Sequence, residues 1–432
     1  MPPKDTTHFV NVNQLQPGIY IYLDLHWVDH PFGFNSFKIK SQDQIQTLKQ
    51  LKLTKVRYDP DKSDAQPLPK AQQDTSSNPP AESDPFNQEE KQAIQAKRAR
   101  IERLKQQREI FALVEKQFVK AAATAKKVTN NLLVHTQESI DEANQLVQQM
   151  ADAFLSDRDV AIHVMNDKIG MEETYVHALN VTVLSLIVAK DMKLSPEEIK
   201  LLGLGALFHD IGKKEIPSQV ILKIDPLTKA EREFLRMHCE YGVNIAKKVG
   251  FPPPVMEIIY QHHECHDGSG YPRGLRGDQI STLSQIVAIV NAYDNLCNHT
   301  DIANSLTPHE ALSLMFAQQR AKFAPVPLNV FIHSLGVYPP GTVVKLSNEV
   351  LAIVTSVNAS RPLKPIVLIY DPQIPKSEAM LIDLEMEPDI NISKAMRPAQ
   401  LPREVYDYLS PRKRITYYFD SPQTSSKAPF KQ

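Results

Sequence analysis

The spacing of apolar positions changes along the chain, and the changes predict its domains. Over residues 1–62 short runs predict a small α/β domain. Phe9–Asn13 and Gly18–Leu25 read as strands, Ser41–Leu51 carries Ile45, Leu48 and Leu51 at helical spacing, and Lys55–Tyr58 alternates as a further strand. Residues 63–88 are rich in Pro, Ser, Gln and Asp and nearly devoid of large apolar side chains, so they cannot bury enough surface to offset chain entropy. A flexible linker is expected there. From Glu89 to about Ser156 helix formers dominate, with Ile94, Ile101, Leu104 and Phe111 near heptad spacing and Arg108 interrupting the seam. This helical connector, 89–159, predicts either a homodimer seam formed by helices over 89–156 or a helix packed on its own domain.

Residues 160–335 carry helical patterns and few strand patterns. Ser195-Pro196-Glu197-Glu198, Thr228-Lys229-Ala230-Glu231 and Thr307-Pro308-His309-Glu310 each place a hydroxyl at an N-cap with Glu three residues on. An all-α domain follows. After Gly336 the period switches to strands at Thr342–Leu346, Val350–Val354 and Ile366–Tyr370, with Leu381–Leu384 as a fourth, predicting a small β subdomain over 336–400. Residues 401–432 are expected to be a tail, polar and disordered beyond Ser421. The fold class expected is therefore multidomain and mainly α.

Composition excludes several classes. The 432 residues carry a formal net charge of -1, so no global field draws the chain to duplex nucleic acid or a membrane. The longest near-apolar stretch, Val181–Lys190, is too short to span a bilayer. The three cysteines (Cys239, Cys265, Cys297) form no C-x-x-C pair, and Met-Pro-Pro-Lys-Asp at the start lacks an apolar signal core. A cytoplasmic protein is expected.

The chemistry concentrates in one stretch. Between His209 and Pro272 lie five of the 14 histidines: His209, His238, His262, His263 and His266. Imidazole and carboxylate donors without a Cys pair suit Fe, Mn, Zn or Ni. An adjacent His209-Asp210 can serve two ions, the carboxylate bridging them. Lys213 lies one turn beyond His209, where it can clamp a phosphate. Glu173 and His177 share a helix face, as do Asn291 and Asp294. Gly268, Gly270, Gly274 and Gly277 cluster in one loop, which suits close backbone approach to a ligand, with Tyr271 and Arg273 at hand for a base and a phosphate.

His209-Asp210-Ile211-Gly212-Lys213, His238, His262-His263-Glu264 and Asp267 to Pro272, continued by Gly274-Leu275-Arg276-Gly277-Asp278 and Ile280, resemble the HD-GYP family of bacterial cyclic dinucleotide phosphodiesterases. The resemblance spans about 160–335. Leu15-Gln16-Pro17-Gly18 and Trp27 to Phe32 are similar to a domain of unknown function that often precedes it. The resemblance implies an HD-type helical bundle and hydrolysis of cyclic di-GMP or mixed cyclic GMP–AMP. It implies His209, Asp210, His238, His262 and His263 as ligands to two divalent ions, Fe or Mn first and Ni or Zn next. Glu173 and His177 match the positions that hold a third ion. Lys213 matches the lysine on the scissile phosphate, and Gly270, Tyr271 and Pro272 match the signature loop. The residues expected to face substrate are Asp267, Gly270, Tyr271, Pro272, Arg273, Arg276 and Asp294. Two departures stand out. Asn291 occupies the place of the last metal-binding aspartate, and Asn295 to Asp301 lacks the substrate-gripping arginine. These departures motivate a different reading, a nucleotide-binding sensor or scaffold without turnover.

Overall fold

The structure is a computed structural model that describes residues 8–25, 30, 32, 36–51, 53–69, 88–155, 162–164, 173–223, 225–357, 363–372, 374, 376, 379–387, 389–411 and 415–419. The chain forms two compact units, Met1–Gln107 and Arg108–Gln432. Trp27 and the tail beyond Ser421 lie outside the described residues, as do the side chains of Ile94, Ile101, Leu104 and Phe111.

In the first unit an antiparallel sheet runs in the order His8–Asn11, Lys55–Asp59, Tyr20–Tyr22, Ser36–Lys38. The helix Gln42–Gln50 starts where the Ser41 hydroxyl caps the Gln44 amide, and it buries Ile45 and Leu48. These side chains meet Val10, Ile19, Ile21 and Val56 in one small core. The first residues of the expected linker are placed against the domain, and residues 70–87 lie outside the described residues. Asp64 N donates to Gly18 O at 2.8 Å and Leu68 N to Gln14 O at 2.8 Å, so residues 63–69 are hydrogen-bonded along the domain. These bonds, with the Lys38–Asp64 ion pair and the Gln14 and Gln16 side chains donating to Leu68 O and Gln66 O, outweigh the low apolar content there.

The second unit is a helical bundle with a sheet at one side. The helix Pro196–Phe208 is apolar almost all round, which suits a helix enclosed by others. It packs on Glu173–Asp191, Thr136–Leu155 and Pro253–Gln261, while Thr282–Cys297 crosses Glu173–Asp191 and Pro325–Leu335. Small residues set the approach: a Cβ on Gly205 would lie 2.3 Å from Ile258 Cδ1. The three Ser/Thr–Glu capping boxes read from the sequence all form. The long helix Gln88–Asn131 buries Val114, Phe118, Ala122, Ala125 and Val128 in the same core, so its second half belongs to the bundle.

Two boundaries differ from expectation. Residues Ile162–Val164, expected in an all-α domain, form a strand, and Tyr417–Phe419, expected in the tail, form another. They pair with each other and extend the sheet ordered Ile392–Met396, Val343–Leu346, Leu351–Val357, Ile162–Val164, Tyr417–Phe419. Ile366–Ile369 pairs with Leu351–Val357 and then with Leu381–Asp383. The β subdomain is thus completed by short segments from both flanks of the bundle, which carry too few residues to show a period.

Candidate metal centre

His209 and Asp210 follow the last turn of Pro196–Phe208, and Asp210 leads into the tight turn Ile211–Glu215. Gly212 in that turn packs against the backbone of the helix His238–Val249, whose first residue is His238. His262 and His263 follow the helix Pro253–Gln261. Three helix ends therefore converge, and His177 enters from the second turn of Glu173–Asp191.

Among the described residues, two ligand sets have donor atoms within 4.8 Å of one another: Asp210, His238, His262 and His263, and His177, His209 and Asp210. Asp210 is common to both. Its Oδ1 lies 3.4 Å from His238 Nε2 and 3.6 Å from His262 Nε2, while Oδ2 lies 3.3 Å from His209 Nε2 and 3.6 Å from His177 Nε2. Lys213 Nζ donates to Asp210 Oδ2 at 2.6 Å.

The tautomers follow from hydrogen bonds that only run one way. Nδ1 of His209, His238 and His262 reaches the carbonyl oxygens of Ala206, Leu235 and Ile259 at 2.6, 2.6 and 2.8 Å. A carbonyl oxygen only accepts, so each Nδ1 carries the proton and each Nε2 offers its lone pair to the centre. Burial holds His262 down to about 3 and lowers His238 and His263, so these rings are neutral at ordinary pH. Burial alone would raise Asp210, but the Lys213 ammonium beside it outweighs that and keeps the carboxyl well below the usual range.

This donor set fits a cation. His238 Nε2 and His262 Nε2 face each other at 3.2 Å with no proton between them, and buried Asp210 Oδ1 beside them receives no hydrogen bond. Three lone pairs crowded together in the interior are unfavourable unless a positive ion joins them.

A loop flanks the centre. Buried Glu264 accepts from Arg273 N at 2.7 Å and Leu275 N at 2.9 Å, and Tyr271 N donates to His263 O at 3.1 Å. Gly270 is obligatory, since a Cβ there would lie 2.3 Å from Cys265 N. The Tyr271 ring, followed by Pro272, stacks on His263 with centroids 4.6 Å apart, and Arg236 lies 4.8 Å from the Tyr271 centroid. Asp267 caps its own turn by accepting from Ser269 N and Oγ, and the Arg276 side chain covers Gly268. Asp267, Arg273 and Arg276 are exposed on this loop.

Three expected residues take other places. Glu173 is exposed at the helix start and belongs to neither ligand set. Asp294, expected to face substrate, is only 1% exposed, and its Oδ2 accepts from His177 Nδ1 at 2.6 Å, so it orients the His177 ring. Asn291 is buried, and its Oδ1 accepts from Asn295 Nδ2 at 2.8 Å. Sequence reasoning gave no role to Asn180, Asn298, Arg236 or Glu264; only the Asp294–Asn298 spacing of one helical turn offered a signal.

Residues 8–164 match a domain of unknown function, DUF3391, and residues 127–325 match the HD domain family. A Pseudomonas aeruginosa protein named as a cyclic di-GMP phosphodiesterase is 27% identical over 369 residues, covering 84% of this chain and 84% of that protein. A Xanthomonas campestris cyclic di-GMP phosphodiesterase response regulator is 34% identical over 141 residues, 32% of this chain and 37% of its own length. A Vibrio cholerae 3′3′-cGAMP-specific phosphodiesterase is 33% identical over 142 residues, 33% of each chain. The chain thus spans most of the first relative but only about a third of the other two. Among the described residues no helix is long and apolar enough to cross a membrane. The chain therefore carries a DUF3391 domain ahead of an HD domain, and its helix ends bring His209-Asp210, His238 and His262-His263 to one centre with the Gly270-Tyr271-Pro272 loop beside it, the residues on which its resemblance to the HD-GYP family rests.

Proposed function

We propose that the chain is a metal-dependent phosphodiesterase that hydrolyses the 3′-5′ phosphodiester of a bacterial cyclic dinucleotide, cyclic di-GMP or mixed cyclic GMP–AMP. The observation that carries this reading is the shared, buried carboxylate of Asp210 between two imidazole sets. Two ions, Fe or Mn by donor chemistry and Ni or Zn next, suit the two sets. Bound divalent ions supply Lewis acidity and make water nucleophilic at neutral pH. Asp210 holds the two positions together, with His238, His262 and His263 on one side and His177 and His209 on the other. Lys213, one turn from His209, offers its ammonium to a non-bridging phosphate oxygen. Tyr271, immobilised against His263, offers an aromatic wall for a base, and Arg273 and Arg276 line the exposed loop. The product is a linear dinucleotide, or mononucleotides if it binds again. A cytoplasmic setting suits the free cysteines.

An anaerobic preparation assayed for metal and for hydrolysis of both dinucleotides tests this reading. Expected are about two ions per chain and turnover of at least one nucleotide. Bound metal with neither nucleotide cleaved would favour the sensor reading, which draws on Asn291 being engaged by Asn295. A His209→Ala, Asp210→Ala double variant that keeps its activity would move the reaction elsewhere.

A further inference from the structure

We propose that Asn180 and Asn298 are positioning residues that tie the C-terminal strand to the His177 ligand, so that residues 415–419 belong to the scaffold of the metal site. The chain of contacts is continuous. Asp294 Oδ2 accepts from His177 Nδ1 at 2.6 Å, while its Oδ1 accepts from Asn180 Nδ2 at 2.8 Å and Asn298 Nδ2 at 3.0 Å. Each asparagine also grips the strand or the residue that leads into it. Asn180 donates to Ile415 O at 2.9 Å and accepts from Tyr417 N at 2.8 Å. Asn298 donates to Ile415 O at 2.8 Å and accepts from Ile415 N at 2.7 Å.

The strand decides which way both amides point. Backbone N–H groups only donate, so the amide oxygens must face Ile415 and Tyr417, which leaves the NH2 groups for Asp294. Asp294, an acceptor only, asks for the same orientation, so strand and carboxylate lock each amide from both sides. Without the strand each NH2 group is held from one side alone and can swing away from the carboxylate. Asp294 would then lose the donors that hold it on His177. Asn180 at 0% and Asp294 at 1% exposure lie in the core, where water does not replace the lost partners, while Asn298 is half-buried at its edge. The effect should fall on one ligand set, because His238, His262 and His263 take their orientation from other elements.

This inference rests on the two-position reading of the centre, but its test reads metal rather than turnover. Chelator competition and metal content would be measured on the full chain for Asn180→Ala, Asn298→Ala and Tyr417→Phe. The last removes the Tyr293–Tyr417 hydroxyl contact from the same strand and leaves its backbone bonds to Asn180 in place. Each asparagine variant should weaken one ion about 10- to 100-fold, as loss of a partner behind a ligand does, and leave the other at wild-type affinity. Tyr417→Phe should keep both. Equal weakening of both ions, unchanged affinity, or the same loss in Tyr417→Phe would each overturn the proposal. If the selective loss occurs in a chain that cleaves no cyclic dinucleotide, the inference stands and the phosphodiesterase reading falls.

Discussion

Gly212 and His238 are in main-chain contact: a Cβ on Gly212 would lie 1.9 Å from the His238 carbonyl oxygen and 2.4 Å from Gly242 N. Backbone cannot yield as a flexible side chain can. Gly212→Ala must therefore part the Asp210 turn from the His238 helix, costing about 1–3 kcal/mol or more, together with both ligand sets. Gly250→Ala is the informative contrast. Gly250 has φ +79 with open space around it, so the change costs only about 1 kcal/mol of backbone strain. Melting curves with metal analysis should show binding lost in the first variant and kept in the second.

Asp210→Asn tests the shared ligand. A neutral amide cannot offer two anionic oxygens, so both positions weaken together and turnover should fall by about a thousandfold, in the range of other lost electrostatic groups. Retention of one tightly held ion in this variant would show that Asp210 serves a single position.

The metal-free protein should lose stability as pH falls through the window set by its buried rings. His262 is lowered from 6.5 to about 3 by burial, so between these values the unfolded chain binds the extra proton. Stability then rises with pH across that window and is fully present above about 6.5. His238 and His263 shift the same way, and the depressed Asp210 carboxyl adds a loss below its ordinary 3.8. Melting of chelator-treated protein from pH 7 to 4 should show the slope, and His262→Asn should flatten it. A flat wild-type profile would contradict the burial argument.

Glu264→Ala leaves the Arg273 and Leu275 amides without their acceptor. Hydrogen bonds to a charged group contribute about 1.5–3 kcal/mol each, so a loss of roughly 3 kcal/mol is expected. Tyr271 loses its fixed place with the loop, and KM should rise more than kcat falls. Glu264→Gln, which keeps one acceptor oxygen, should recover part of both. Denaturant midpoints and steady-state kinetics separate the two effects; an unchanged KM would remove Tyr271 from substrate contact.

Much of the centre was legible because its candidate donors lie in short motifs. His209-Asp210, His238 and His262-His263 each end or begin a helix whose apolar pattern and caps are plain in the sequence, and helix packing brings those ends together. The support behind them was not legible. His177 and Asp294 are 117 residues apart, and nothing in their local spacing says that one carboxylate will hold that imidazole instead of a ligand outside. The strands Ile162–Val164 and Tyr417–Phe419 are three residues each, too short for alternation to register. Residues 63–69 owe their place to hydrogen bonds with Gln14, Gln16, Gly18, Tyr20 and Lys38, partners far off in the chain that composition does not reveal.

His209, His238 and His262 each send Nδ1 to the carbonyl three residues back in the chain. The protonated edge of every ring is thus chosen by the turn that carries it, before any ion arrives. An incoming cation meets imidazoles whose rotation was already frozen when the bundle closed, so little ordering opposes its capture. Metal loading should then track the folding of the bundle far more closely than the arrival of substrate.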